Sequence, residues 1–166
     1  MEIGDHILND LSDHMQQAVN AALTAHAGRP GALLPILHDV QHALRHIPPA
    51  AVSAIADALN LSRAEVHGVI TFYRHFRLSA PGRRLVQVCR AEACQAVGAD
   101  QLLEHAQRSL GCSLHQTSSD GAVTLEPVYC LGQCAVGPAV MMDDALYGRV
   151  DAARFDALIA LQEAQQ

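Results

Sequence analysis

The sequence contains five cysteines, and four of them form two close pairs: Cys89-x4-Cys94 and Cys130-x3-Cys134. Each pair follows a short β-rich run, Leu85 to Val88 and Val123 to Tyr129, so strand pairing can bring the two loops together. Four thiols meeting in one place suit two kinds of metal chemistry. A [2Fe–2S] cluster takes four cysteine thiolates, and two irons holding two sulfurs each match two local pairs. A structural zinc ion also takes four cysteines, usually with two residues between ligands and sometimes as many as four. Disulfides are the bland reading, and an odd cysteine count in a cytosolic chain is a poor framework for them. A thioredoxin-type dithiol needs Cys-x-x-Cys at a helix N-terminus, a spacing neither pair has.

The loops favour the cluster over zinc. Residues 129–138 read Tyr-Cys-Leu-Gly-Gln-Cys-Ala-Val-Gly-Pro, which is small, uncharged and glycine-bearing. Glycine lets backbone N–H groups come close to sulfur, and such hydrogen bonds help set a cluster's potential. The first loop holds Arg90, which would stabilise a reduced, more negative cluster, and Glu92, read as a solvated charge. Gly98 opens the next helix, whose positive N-terminal end favours an anionic group. Cys112, beside Gly111 at a helix end, reads as a small buried hydrophobe rather than a ligand.

These loops need elements to hold them. Up to about residue 78 the periodicity is helical. Ser12 caps a helix running to about Ala25. Leu33, Ile36, Leu37, Val40, Leu44 and Ile47 form one face of a second helix, ended by Pro48-Pro49. Ala51 to Leu59 is a third. Ser62-x-x-Glu65 is a capping box for a fourth, with Val66, Val69, Ile70, Tyr73 and Phe76 as its core face. Ser79 to Gly82 is the boundary, separating a helical domain over 1–79 from a second domain over 80–166. There Leu85 to Val88 is a strand, Gly98 to Leu110 a helix and Ser113 to Thr117 a strand. Asp120-Gly121 is a hairpin turn, followed by Val123 to Tyr129 with Val123 and Leu125 inward and Thr124 and Glu126 outward. Ala139 to Met142 and Ala145 to Gly148 are strands joined at Asp143-Asp144. Asp151 caps a last helix that buries Phe155, Leu158 and Ile159. The fold class is α+β: a helical bundle, then a small α/β domain.

Bulk properties narrow the function. The chain has 166 residues, 50% hydrophobic and 17% charged, enough for a real core. Its formal net charge of −6 argues against a nucleic-acid partner or an anionic membrane surface. No basic leader and no apolar run of membrane-spanning length is visible, so the expected location is cytoplasmic, without direct membrane insertion. His38, His42 and His46 recur every four residues opposite the apolar stripe and read as a solvated face. No GxSxG elbow, Walker loop or dinucleotide fingerprint is present, so no active site is expected on this chain.

The segments 88–98 (VCRAEACQAVG) and 130–138 (CLGQCAVGP) resemble the two cluster loops of thioredoxin-like [2Fe–2S] ferredoxins. These occur as the small flavin-adjacent subunit of respiratory complex I and in NAD-linked hydrogenases and formate dehydrogenases. Ile47-Pro48-Pro49 and residues 69–76 (VITFYRHF) resemble the helical region of the same subunits. The resemblance implies a thioredoxin-like domain behind a helical bundle, with one [2Fe–2S] cluster on Cys89, Cys94, Cys130 and Cys134. It also implies a partner subunit holding FMN and the NAD site, and a larger iron–sulfur/molybdenum subunit. Complex I relatives usually have Gly-Thr at Ala91-Glu92 and Ala-Pro at Gly137-Pro138. The run CRAEACQ is more similar to the gamma subunit of molybdenum- or tungsten-containing, NAD-dependent formate dehydrogenase. The alternative of another class is a zinc-stabilised interaction module without a redox role.

Overall fold

A computed structural model describes residues 12–163. The chain divides into two compact units between Ala80 and Pro81.

The first unit holds four helices: α1 (Asp13–Ala25), α2 (Leu33–Leu44), α3 (Pro49–Leu59) and α4 (Arg63–Phe72). Val19, Ile36, Leu37, Val40, Ile55, Val66 and Ile70 form its core, spaced as amphipathic helices require. Local chemistry sets the ends. Pro49 sits in the first turn of α3, and Asn60 closes that helix in the left-handed conformation. The Ser62–Glu65 capping box is complete, each residue bonding the other's backbone. Ser12 occupies the N-cap of α1, but its side chain makes no capping hydrogen bond.

Two expectations are corrected here, the extent of α2 and the place of Tyr73. Helix α2 stops at Leu44 because Arg45 turns left-handed (φ 64°). Ile47 is therefore buried from a loop, its N–H bonded to Arg77 O at 2.7 Å. Tyr73 is an exposed C-cap rather than a core residue, whereas Phe76, beyond the helix, is buried. His38 is exposed, yet its ring packs 5.0 Å from Phe76 and 5.1 Å from His75.

That last contact gives the helical unit an acid dependence. Desolvation, with His38 and Arg77 nearby, holds the His75 imidazole below its ordinary 6.5. The unfolded chain thus takes up this proton at higher pH than the folded one. The contribution of neutral His75 is whole above pH 6.5 and is lost as pH falls from there through the depressed folded value. His75→Gln is expected to flatten the fall in urea midpoint between pH 7.5 and pH 5 relative to wild type. Equal slopes would contradict it.

The second unit is a five-stranded mixed sheet of order β2-β3-β1-β4-β5. Its strands are β1 (Arg84–Cys89), β2 (Gln116–Thr117), β3 (Val123–Val128), β4 (Val140–Met142) and β5 (Ala145–Tyr147). A single helical turn α5 (Glu92–Gln95) and helix α6 (Ala99–Leu110) follow β1, and α7 (Ala152–Glu163) ends the chain's described part. β1 runs parallel to β3, with α6 in the crossover, and antiparallel to β4. Val86 and Val88, two apart on one face of β1, pack with Leu102, Leu103, Leu125, Met142 and Phe155. Asp151 caps α7 through the Arg154 N–H at 2.8 Å.

Two local readings change. Thr124 is buried rather than outward, because its hydroxyl accepts the Gly82 N–H at 2.7 Å and pairs with Thr117 Oγ1 at 2.7 Å. The strand expected over 113–117 is reduced to Gln116–Thr117. Asp143 is in the turn, as expected, but its carboxylate also accepts the Leu85 N–H at 2.9 Å.

Candidate metal centre

Parallel pairing of β1 with β3 aligns Cys89 with Val128, so both strands end at one edge of the sheet. Cys89 is the last residue of β1, and Cys130 lies two residues beyond β3. The loops are bound to the strand ends: Arg90 N–H donates to Val128 O at 2.6 Å, and Cys89 N–H to Ala139 O at 3.0 Å.

Each loop then presents its second cysteine on a turn. α5 carries Cys94, its backbone N–H bonded to Ala91 O at 2.9 Å. Gln95 Nε2 donates to Arg90 O at 2.9 Å and closes the loop. In the second loop a 3-10 turn over Cys134–Val136 carries Cys134. The Sγ atoms of Cys130 and Cys134 are 3.8 Å apart, and Gly132 N–H points to Cys130 Sγ at 3.3 Å. Cys130 itself has φ 149°, a region that favours glycine, so strain is held at a cysteine of the site.

The pairs differ in exposure. Cys89 and Cys94 are each only 1% exposed, among Ala99, Ala139, Ala91, Val128 and Leu131. Cys130 and Cys134 face solvent. The four sulfurs nevertheless share one electrostatic neighbourhood. Burial raises the pKa of Cys94, and the neighbouring Cys89 and Cys134 raise it further. The hydrogen bond with Cys130 raises Cys134, as do the charges of Cys130 and Cys89.

This donor set fits an iron–sulfur centre. Crowded thiols resist ionisation, and a cationic metal centre among them is what would hold them as thiolates. Two pairs, one buried and one exposed, suit two irons. A backbone N–H already directed at a sulfur is the kind of bond that tunes a cluster.

Other residues fall into place around this centre. Glu92 is exposed. Arg90 reaches Asp100 at 3.4 Å in the first turn of α6, whose N-cap is Gly98 at φ 101°. Cys112 is buried in the core under the sheet, and desolvation pushes its thiol up. Sequence reasoning missed the α5 turn, which is too short to leave a period. It also missed the tight fit of Gly137 beside Cys94, for which Gly137-Pro138 was the only signal.

The second unit is thus a small α/β domain whose mixed sheet carries two cysteine loops at one edge. The family profile "Thioredoxin-like [2Fe-2S] ferredoxin" matches residues 19–163. A component of the NADH-quinone oxidoreductase of Rhizobium meliloti (strain 1021) is 34% identical over 145 residues, covering 87% of this chain and 86% of the relative. The corresponding component of the NADH-quinone oxidoreductase of Pseudomonas aeruginosa is 33% identical over 154 residues, covering 93% and 91%. A crystal structure of NAD+-reducing [NiFe]-hydrogenase in the H2-reduced state superposes with TM-score 0.69 at 25% identity. That match covers 81% of this chain and 22% of the other. The chain belongs to the thioredoxin-like [2Fe–2S] ferredoxin family, and the cofactor of that family is one [2Fe–2S] cluster. Among the described residues no helix is long and apolar enough to cross a membrane.

Proposed function

We propose that Cys89, Cys94, Cys130 and Cys134 hold the cluster, and that the chain carries electrons as a subunit of a cytoplasmic, NAD-linked oxidoreductase. The observation that carries this is the convergence of two cysteine pairs at one edge of a parallel strand pair. When bound, the cluster accepts and releases one electron at a time. The protein's part is to hold and bias it. β1 and α5 fix the buried pair in an apolar shell, which excludes water. The exposed pair leaves one side open to a partner. Gly132 N–H supplies a hydrogen bond to sulfur that favours the more negative, reduced state.

The partner in this reading is a subunit with FMN and the NAD site, together with a larger iron–sulfur/molybdenum subunit. The names of the relatives, NADH-quinone oxidoreductase and NAD+-reducing hydrogenase, support the NAD link. The parent enzyme we favour is an NAD-dependent formate dehydrogenase, on the similarity of residues 89–95. Copurification of the tagged chain from its host, followed by formate:NAD, NADH:quinone and hydrogen:NAD assays, distinguishes the parents. Formate activity alone supports this choice, and either of the others replaces it.

The cofactor reading has its own test. Anaerobically purified protein is expected to be brown, to contain two irons per chain and to give a rhombic EPR signal after dithionite reduction. A colourless protein with one zinc and no iron would leave the fold standing and remove the redox role.

A further inference from the structure

We propose that Gly137 and Val97 are a matched pair that seats the Cys94 sulfur and shields it from water, and so tunes the potential of the centre. The proposal rests on Cys94 being a cluster ligand. A Cβ built on Gly137 would lie 3.0 Å from Val97 Cγ2, 3.2 Å from Cys94 Sγ and 3.5 Å from Cys94 Cα. The first two distances are tighter than ordinary packing allows. The backbone of Gly137 has φ −65°, which any residue adopts, so what limits a side chain here is space and not conformation.

Val97 is the other half. It is 54% exposed although apolar, while Cys94 is 1% exposed. Its backbone is tied to the Cys94 turn, its N–H donating to Cys94 O at 3.2 Å just past α5. A valine methyl and the Cys94 sulfur thus both lie close to where a Gly137 side chain would be, and the valine is the exposed one of the two. Solvent access at the sulfurs is one of the quantities that sets a cluster's potential, so both residues are positioning residues for the centre.

The pair makes a three-variant test on the full chain, read by visible circular dichroism, EPR g-values and dithionite-mediated redox titration. Val97→Ala opens Cys94 to water, which favours the reduced, more negative state, so the midpoint potential shifts upward. Gly137→Ala forces its methyl against Val97 and Cys94, so the dichroism and g-values change or iron content falls. In Val97→Ala/Gly137→Ala the contact with Val97 is relieved while the 3.2 Å approach to Cys94 Sγ remains, so spectra and potential return part of the way toward wild type. An unchanged potential in Val97→Ala, or a double variant showing only the sum of the single effects, overturns the pairing. Should Gly137→Ala fail to take up iron, Val97→Ala and the double variant still decide. A colourless wild type would instead remove the cluster reading itself.

Discussion

Serine at Cys89 or Cys94 is expected to abolish the centre, serine at Cys130 or Cys134 to leave a weaker and more labile one, and serine at Cys112 to leave it intact. The order follows from burial. Cys89 and Cys94 are 1% exposed inside an apolar shell, so no water can replace a lost sulfur there. At Cys130 and Cys134, which face solvent, water or the serine oxygen can complete the coordination at reduced affinity. Cys112 lies with Leu102, Leu103 and Phe155 in the core of the unit, remote from both loops in the packing. Iron per chain and visible absorption measure the outcome, with thermal unfolding as the control for fold. Bleaching by Cys112→Ser with Cys134→Ser unaffected would show the ligand set to be wrong.

The parts of this site that were readable from sequence are those encoded locally. Spacing within each cysteine loop, the β-rich run before it and the Ser62–Glu65 cap all lie within a few residues. The meeting of the loops is a matter of topology. β1 and β3 are separated by α5, α6 and β2, and only their parallel pairing puts Cys89 and Cys130 at the same edge. Sequence patterns express that two strands can pair, not which way they run. Thr124 looked outward because alternation assigns polar residues to solvent. Its burial becomes favourable only through Gly82 and Thr117, which are distant in sequence or in pattern. Arg45 ended α2 early because a left-handed arginine carries none of the composition cues that glycine or asparagine would. Gly137 was visible as a residue, but its requirement is set by Cys94 and Val97 across the loop junction.

Gln41 shows the same lesson in the helical unit and carries the second large effect. It sits on the buried side of α2, only 4% exposed, where the helical pattern asks for an apolar residue. Its Nε2 donates to His75 O at 2.8 Å, and its Oε1 accepts the Arg77 N–H at 2.8 Å. One side chain thus pairs the segment after α4 as a neighbouring strand would, next to the Ile47 N–H bond to Arg77 O. Gln41→Leu keeps most of the volume and removes both bonds. Arg77 Nη1 still reaches His75 O at 3.5 Å, so a loss of about 1–3 kcal/mol is expected. Gln41→Glu still accepts from Arg77 but sets a carboxylate against the His75 carbonyl, and it should recover little at neutral pH. Urea unfolding of the full chain by far-UV circular dichroism measures the loss, while visible absorption reports the other unit's centre. Release of the segment also frees the His75 ring from Phe76 and His38, so its pKa should rise toward 6.5 in the leucine variant. A loss below about 0.5 kcal/mol with an unmoved His75 titration would mean that water satisfies both groups and that the clamp is not what holds residues 75–77.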